Sequence, residues 1–206
     1  AAMVTRMDRH IGRVMALLGE LGIDRRTAVL MSSDNGPTFN GGTDSAFFES
    51  AGPFRGLKAS LYEGGIRVPM IVRWPGRVAP GAVTNHVAAF WDVMPTLAGM
   101  AGAPAPAGID GVSFLPQLLC GESPTAPRAL YWEYHARPSQ AVRLGRWKGV
   151  RFNKKRSTAA PIELYDLEAD IGEKTDVASR RPDVVKEIEH VMYARAPSPV
   201  KAWNWT

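Results

Sequence analysis

The first forty residues pass from a helix-type pattern to a strand-type pattern and then to a polar loop, and this order constrains the fold most. Apolar residues recur every three or four positions from Val4 to Leu21, which predicts an amphipathic helix, and Gly22 stands where a left-handed C-terminal cap is expected. Residues 27–32 are mainly apolar and predict a buried strand, directly followed by the polar residues 33–37. This order is typical of a layered α/β sheet, which places its chemistry where strands end.

The rest of the first 121 residues continues this α/β pattern. Residues 36–59 are rich in Gly, Ser, Thr and Pro without periodicity, which predicts a long functional loop. Residues 67–74 predict a second buried strand, stopped by a Pro-Gly pair. A helix is predicted over residues 92–100, with Asp92 suited to the N-cap and Pro95 in the first turn.

Beyond residue 121 the pattern changes to short strands separated by turns. Four strands are predicted, over residues 130–134, 140–144, 147–152 and 163–166. Pro182 opens a predicted helix with one apolar face, formed by Val184, Val185, Ile188, Val191 and Met192. We therefore predict an α/β domain over residues 1–121 and a small α+β subdomain with an antiparallel sheet over residues 122–206.

The charge pattern narrows the possible partners. The 206 residues carry a formal net charge of +5, yet no nucleic-acid-binding motif accompanies it, so we expect no nucleic-acid partner. No apolar stretch is long enough to span a bilayer, and no membrane span is expected. Basic residues cluster near the predicted sheet, and we favour a solvated strand and loop over contact with an acidic glycan. They are Arg143, Arg146, Lys148, Arg151, Lys154, Lys155 and Arg156.

Asp34 and Asn35 are the first candidate metal ligands. A carboxylate and an amide oxygen are hard ligands suited to Ca²⁺ or Mg²⁺ rather than to zinc, although Asp-Asn-Gly is also a common turn sequence. These two side chains supply at most three oxygens, whereas Ca²⁺ takes six or more. The residues therefore leave two interpretations open, half of a metal site and a simple turn.

Several sequence blocks together resemble one enzyme family. They are Ser32-Ser33-Asp34-Asn35-Gly36-Pro37, Phe54-Arg55-Gly56-Leu57-Lys58-Ala59-Ser60-Leu61-Tyr62-Glu63-Gly64-Gly65-Ile66-Arg67-Val68-Pro69, Tyr131-Trp132-Glu133-Tyr134-His135 and Glu163-Leu164-Tyr165-Asp166-Leu167-Glu168. In this order they resemble the sulfatase family of the alkaline-phosphatase superfamily, in particular its arylsulfatase and N-acetylgalactosamine-6-sulfatase group. The resemblance covers only the C-terminal half of such an enzyme. It implies the C-terminal part of an alkaline-phosphatase-like α/β/α sandwich followed by the small subdomain.

The resemblance also implies an activity and its residues. The parent enzyme is expected to hydrolyse a sulfate ester, either an aryl sulfate or a sulfated glycan. Asp34 and Asn35 would hold Ca²⁺, or Mg²⁺, and Lys58 would be the catalytic lysine that contacts a sulfate oxygen. The missing N-terminal half would be the partner that completes the site, and the parent is expected to be periplasmic or secreted.

The nucleophile is expected in that missing half. In the family a cysteine, or in some members a serine, in a Cys-x-Pro-x-Arg or Cys-x-Ala-x-Arg segment becomes formylglycine. Cys120 is the only cysteine, and Gly121-Glu122-Ser123-Pro124 follows it, which fits neither pattern. From the sequence we expect neither that segment nor the family's paired aspartates in this chain.

Other candidates carry a structural and a functional interpretation side by side. His135 is predicted either to contact substrate or to be a surface-loop histidine. The same two alternatives, substrate contact and a surface-loop role, stay open for Asp44. Glu63 and Arg67 are interpreted as a partly buried structural pair that holds the loop. Gly64 and Gly65 are predicted to adopt backbone conformations that other residues resist.

Two other functions stay open from the sequence. The first is a phosphatase or phosphonate-ester hydrolase of the same superfamily, since sulfate and phosphate share a tetrahedral shape. A clustered aspartate and histidine set for two metals would favour it, and the sequence shows no such set. The second is a non-catalytic binding or scaffold fragment. A true start codon near residue 1 would favour it, whereas an upstream reading frame that continues into Cys-x-Pro-x-Arg would favour the sulfatase.

Overall fold

The computed structural model describes residues 2–121, 128–152, 159–194 and 200–205. The chain divides into two compact units, one formed by residues 1–32 and 69–125 and the other by residues 33–68 and 126–206. The regular elements of the first unit are α1 (Ala2–Glu20), β1 (Val29–Ser32), β2 (Met70–Arg73), α3 (Val93–Met100) and α4 (Leu115–Cys120). Those of the second are α2 (Glu63–Ile66), β3 (Leu130–Tyr134), β4 (Ser139–Leu144), β5 (Trp147–Phe152), β6 (Ile162–Asp166) and α5 (Pro182–Ala194).

The helix predicted at the start of the chain is α1, and its predicted cap is confirmed. Gly22 has a φ of +66°, and its N–H donates to Gly19 O at 3.0 Å while Ile23 N–H donates to Leu18 O at 3.1 Å. These bonds satisfy carbonyls that the end of a helix would otherwise leave unpaired. No residue of α1 is fully buried in the described structure, and only Ile11, Met15 and Leu18 of its apolar face are partly covered.

The second predicted strand is shorter and less buried than its sequence suggested. β2 covers only Met70–Arg73 and pairs antiparallel with β1, with Leu30 opposite Val72. Met70 is 42% exposed and Ile71 59% exposed, so the prediction of a buried strand was wrong. Apolar strand residues are buried only where a second layer covers the sheet, and the described part of this unit supplies none over β2.

Asp92 has a wider role than the predicted N-cap. It directly precedes α3 as predicted, but its carboxylate accepts hydrogen bonds from Ala89 N–H and from Val112 N–H, both at 2.8 Å, rather than from its own helix. Thr96, in α3, donates to Asp92 O at 2.6 Å and accepts from Phe114 N–H at 3.0 Å. These buried side chains tie α3 to the segment that leads into α4, a short helix that the sequence did not predict.

The second unit contains the predicted antiparallel sheet. Strands β3 to β6 lie in sequence order, each pairing antiparallel with the next. The apolar face of α5 packs on this sheet through Val184, Ile188 and Met192, which form a core with Val142, Ile162 and Leu164. Both the sheet and the packing of the last helix are thus as predicted, and they follow from period-two and period-3.6 apolar patterns.

Two basic residues of the sheet are not solvated. Lys148 and Arg151, both on β5, are 0% and 1% exposed, so the prediction of a solvated basic strand was wrong for them. Arg151 donates to Glu189 of α5 at 2.6 Å and to the carbonyl oxygen of Ala160 at 3.0 Å. A charge becomes tolerable in a protein interior when it is paired in this way. Of the other five predicted basic positions, Arg146 is exposed and Arg143 is partly buried, while residues 154–156 lie outside the described residues.

Residues 33–68 belong to the second compact unit, although the sequence assigned them to the first domain. Their loop 36–59 contains no helix or strand, as predicted. The division into domains at residues 121 and 122 stays a prediction. Within the described residues, no helix is long and apolar enough to cross a membrane.

The packing of α5 gives the first testable prediction. Ile188 is fully buried, and a Cβ placed on Gly149 of β5 would lie 2.6 Å from its Cγ2, so helix and sheet are in close contact there. We expect Ile188→Ala to lower the free energy of unfolding by about 2–5 kcal/mol, because it leaves a cavity. Denaturant unfolding measures this, with the exposed neighbour Lys186→Ala as the control. Equal effects of the two changes would contradict the packing described.

Candidate functional site

Backbone hydrogen bonds join the two loops that carry the predicted site residues. Lys58 N–H donates to Pro37 O at 2.8 Å, so the lysine is tied to the loop that carries Asp34 and Asn35. Gly36 N–H donates to Gly65 O at 2.9 Å, which fixes the same loop to α2. The structure therefore bonds the loop that carries Asp34 and Asn35 to the loop that carries Lys58 through their backbones.

The paired glycines of α2 are needed for space, not for an unusual backbone. Neither Gly64 nor Gly65 has a positive φ, so the predicted reason was wrong. A Cβ on Gly65 would lie 2.1 Å from Ser60 O, and one on Gly64 would lie 2.2 Å from Gly56 O. Gly36 is equally restricted, since its Cβ would lie 1.8 Å from Gly64 O. Only glycine permits three backbone segments to approach so closely.

The backbone beside Lys58 is strained. Ala59 has a φ of +70°, in the left-handed region that costs a residue with a Cβ about 1 kcal/mol or more. Gly56, on the other side of the lysine, also has a positive φ, of +82°. The side chain of Lys58 is exposed, and it forms no ion pair within the described residues. The loop thus presents an uncompensated positive charge on a fixed backbone.

Asp34 and Asn35 keep oxygens available. Asn35 Nδ2 donates to Gly36 O at 3.0 Å, which orients the amide and leaves Oδ1 as a free acceptor among the described residues. Ser33 Oγ donates to Asn35 O at 2.9 Å and steadies the turn. The Asp34 carboxylate is exposed and has no donor in the described ranges. Across those ranges the structure contains no group of three or more His, Cys, Asp and Glu that could hold a metal ion, and the role of Asp34 and Asn35 as metal ligands stays a prediction.

A buried ion cluster lies behind α2. Glu63 Oε1 accepts a hydrogen bond from Lys148 Nζ at 2.7 Å, and Glu63 Oε2 contacts Arg67 Nη2 at 2.7 Å and Arg143 Nη1 at 3.7 Å. Glu173 Oε1 lies 3.7 Å from the same Lys148 nitrogen. The predicted structural pair of Glu63 and Arg67 is confirmed. Lys148 and Glu173 were missed, although Lys148 shares one face of its strand with the apolar Val150 and Phe152, which was a usable signal for it.

The pKa values of the two carboxylates of this cluster shift in opposite directions. Burial would raise the pKa of Glu63, but the charges and hydrogen bonds of Lys148 and Arg67 outweigh it and hold that pKa below its usual value. Burial raises the pKa of Glu173 above its usual value, and the more distant Lys148 compensates it only in part. Glu63 is therefore the ionised partner of the buried lysine.

Aromatic contacts hold the start of the Lys58 loop. The Arg55 guanidinium lies 3.8 Å from the ring centre of Tyr62 and donates to Tyr165 Oη at 2.9 Å. Both tyrosines donate to Glu163 Oε2, at 2.5 Å from Tyr62 and 2.7 Å from Tyr165. Burial, reinforced by the Glu163 carboxylate, raises the pKa of Tyr165 to about 12. Tyr165 therefore stays a neutral hydrogen-bond donor at physiological pH.

The remaining candidates lie in local structures. His135 follows β3, and its Nε2 is 3.9 Å from Glu133 Oε2, which makes Glu133 the carboxylate that faces it. Asp44 accepts a hydrogen bond from Phe47 N–H at 2.9 Å and so caps a turn. Asp8 and His10 are exposed on α1, as expected of polar residues on the solvent face of an amphipathic helix.

One sequence match was overlooked. Ser139, Ala141 and Arg143 have the serine-type spacing Ser-x-Ala-x-Arg. The structure places Ser139 in β4, 2% exposed, with its Oγ donating to Arg137 O at 2.8 Å. A hydroxyl buried in the sheet and engaged in this way is no candidate nucleophile.

Family models match most of the chain. The model described as Sulfatase matches residues 1–103, half of the chain. A second, described as N-sulphoglucosamine sulphohydrolase, C-terminal, matches residues 57–196. The chain belongs to the sulfatase family.

Similar sulfatases are longer than this chain. Human arylsulfatase A is 34% identical over 92% of this chain and 42% of its own length. The N-acetylgalactosamine-6-O-sulfatase of Bacteroides thetaiotaomicron is 31% identical over 92% of this chain and 40% of its own length. The chain thus spans about two fifths of each of these sulfatases.

A solved structure shows the same fold. The crystal structure of Ps i-CgsB in complex with k-i-k-neocarrahexaose aligns with a TM-score of 0.78 at 28% identity, over 93% of this chain and 41% of that one. The chain therefore has the fold predicted for it, the C-terminal part of an alkaline-phosphatase-like sulfatase with a small α+β subdomain. Its identity as a sulfatase of the arylsulfatase and N-acetylgalactosamine-6-sulfatase group, over a C-terminal part only, is confirmed.

The close approach of the loops to α2 gives a second prediction. We expect Gly65→Ala to lower the free energy of unfolding by more than about 2 kcal/mol, because the new methyl group would collide with Ser60 O. Gly12→Ala is the control, since a Cβ on Gly12 in α1 meets nothing within 4 Å and alanine favours a helix. Thermal unfolding compares the two variants. A Gly65→Ala protein as stable as the wild type would show that the loops are not held as described.

Proposed function

We propose that this sulfatase-family chain supplies the metal-binding and sulfate-binding part of a sulfuric ester hydrolase, and that a separate N-terminal half supplies the nucleophile. The observation that carries the proposal is the backbone connection between two loops, one with Asp34 and Asn35 and the other with Lys58. Carboxylate and amide oxygens on one loop and an ammonium group on a loop bonded to it, none of them paired among the described residues, are suited to binding a metal ion together with an anion.

The donor set fits a hard divalent cation. Asp34 and Asn35 would hold Ca²⁺, or Mg²⁺, through their free oxygens. When bound, such a cation supplies Lewis-acid stabilisation of negative charge on a sulfate oxygen. Because the two side chains provide at most three ligands, carboxylates of the N-terminal half would complete the coordination.

Lys58 would neutralise the sulfate group during reaction. Its ammonium carries three donors, and an exposed lysine on a backbone fixed at Pro37 needs little reorganisation to meet an anionic oxygen. As the S–O ester bond breaks and its electron pair leaves with the alcohol oxygen, a cation placed at the sulfuryl oxygens neutralises the negative charge on the sulfuryl group. The lysine itself transfers no proton in this role.

The substrate class is proposed from the relatives. One related protein is named an N-acetylgalactosamine-6-O-sulfatase, and a structural neighbour was solved with an oligosaccharide. We therefore propose a sulfated glycan as substrate, with an aryl sulfate as the alternative. His135, oriented toward Glu133, is the residue of the small subdomain that we propose to contact the sugar. A parent enzyme of this type would act in the periplasm or outside the cell.

Metal binding gives a third prediction. We expect this chain alone to bind Ca²⁺ weakly, with a Kd in the range of about 10⁻⁴–10⁻³ M, because most of the coordination sphere is left to water. Isothermal titration calorimetry measures the affinity. Asp34→Ala should abolish the heat of binding, whereas Asp44→Ala, which removes a turn carboxylate, should not. Micromolar binding that depends on Asp34 would contradict the half-site.

Activity gives a fourth prediction. We expect the isolated chain to hydrolyse a chromogenic aryl sulfate no faster than its Lys58→Ala variant, because it lacks a nucleophile. Adding an N-terminal half that carries formylglycine should restore turnover. Lys58→Ala should then reduce kcat by roughly a hundredfold or more, the scale of one charge-stabilising group.

The control for that experiment is Lys174→Ala, which removes another exposed lysine of the same unit. Turnover by the isolated chain that survives both Lys58→Ala and Asp34→Ala would refute the assigned roles. Hydrolysis of a phosphonate ester but not of a sulfate ester by the assembled halves would favour the related phosphonate hydrolases. No turnover with either ester would leave the chain as a binding fragment.

A further inference from the structure

Glu173 occupies an unfavourable position that calls for an explanation. Its side chain is completely buried, its backbone has a φ of +51°, and its Oε1 accepts no hydrogen bond from the described residues. Each feature costs free energy: a buried carboxylate loses hydration, a left-handed residue with a Cβ is strained, and an unsatisfied oxygen is rare inside proteins. A glutamate that is exposed to solvent in a polar turn would avoid all three costs, so the buried position of Glu173 needs a reason.

The contacts of Glu173 lie at both ends of the Lys58 loop. Its Oε2 accepts a hydrogen bond from Glu63 N–H at 2.7 Å, at the start of α2. Its backbone carbonyl accepts one from Arg55 Nη1 at 2.9 Å. Arg55 and Glu63 bracket residues 56–62, which include the lysine. Glu173 therefore restrains both ends of that loop, although it lies 110 positions after Glu63 and 118 positions after Arg55.

From α2 the restraint reaches both groups of the site through the backbone. Gly64 N–H donates to Arg55 O at 2.7 Å, and Gly36 N–H donates to Gly65 O at 2.9 Å. Lys58 N–H in turn donates to Pro37 O at 2.8 Å. A shift of α2 therefore moves the loop that carries Asn35 and the loop that carries Lys58 together.

We propose that Glu173 is a positioning residue for the sulfate-binding and metal-binding loops, and that it acts through the hydrogen bond its carboxylate accepts from Glu63 N–H. The meaning of this role for catalysis rests on the proposed function, but the restraint itself does not. Glu173 touches neither Asp34, Asn35 nor Lys58 directly. It works by satisfying an N–H at the start of α2 that the helix itself cannot satisfy.

Two substitutions separate this hydrogen bond from the charge. Glu173→Gln removes the charge and keeps a carbonyl oxygen at the same length, so it can still accept from Glu63 N–H. Glu173→Asp keeps the charge but is shorter by one methylene and withdraws the acceptor. If Glu173 positions the loops, Glu173→Gln should leave them in place and Glu173→Asp should loosen them. If Glu173 serves instead as the counter-charge to Lys148, Glu173→Gln should disturb the structure more than Glu173→Asp.

Hydrogen exchange of the full chain, resolved by residue with NMR, tests this. In Glu173→Asp we expect the amides of Gly36, Lys58 and Gly64 to exchange at least about tenfold faster than in the wild type. Each of these amides donates a backbone hydrogen bond, and weakening that bond makes the amide open to solvent more often. In Glu173→Gln their rates should stay within about threefold of the wild type. The amides of β4 and β5 should keep their rates in both variants.

The matched control is the pair Glu189→Asp and Glu189→Gln. Glu189 also pairs with a buried cation of β5, Arg151, but it has no contact with these loops among those described. Neither change should speed exchange at Gly36 or Lys58.

Three results would overturn the proposal. They are unchanged loop exchange in Glu173→Asp, faster loop exchange in Glu173→Gln than in Glu173→Asp, and equal acceleration of the loops and of β4 and β5. The proposed function would be refuted independently of this proposal if the assembled wild-type halves hydrolysed no sulfate ester while the loop amides exchanged at the rates expected above.

Discussion

The ion pair between Glu63 and Lys148 is the interaction on which the site depends. Both side chains are almost fully buried, and they meet at 2.7 Å between a helix start and the middle of a strand. Removing one partner of such a pair leaves an unpaired buried charge, which typically costs about 3–5 kcal/mol. The pair therefore stabilises one position of α2 against the sheet. The glycines of α2 can lie close to both loops only while this position is kept.

The cluster contains three cations and two carboxylates, and the balance of their charges accounts for this composition. Lys148 alone would face two buried carboxylates, and Arg67 and Arg143 add positive charge on the side of Glu63. The difference in pKa between Glu63 and Glu173 follows from this asymmetry, because only Glu63 receives direct hydrogen bonds from cations. An arrangement with one ionised and one readily protonated carboxylate keeps repulsion inside the cluster low.

The sequence predicted those parts of the molecule that depend on local patterns. The helices α1 and α5, the four-stranded sheet and the loop over residues 36–59 follow from periodicity and turn residues. The family motifs pointed to Asp34, Asn35 and Lys58, whose roles stay predictions. Burial was predicted less well, since Met70 and Lys148 take their environment from distant residues. The role of Glu173 had no local signal, because its partners are more than a hundred positions away. Likewise, glycine is required at position 65 because Ser60 O lies too close for a Cβ, and the backbone angles of Gly65 itself do not require it.

The order of contacts along the chain has a consequence for how the molecule folds. Each strand of the sheet pairs with its neighbour in sequence, so the hairpins close short loops of chain. The two site loops reach the sheet only through contacts such as Glu63 with Lys148, 85 positions apart, and Arg55 with Glu173, 118 apart. Closing long loops costs more entropy and slows folding. The sheet can therefore form early on local contacts, while the segment that carries Asp34, Asn35 and Lys58 becomes ordered late, on a scaffold that is already folded.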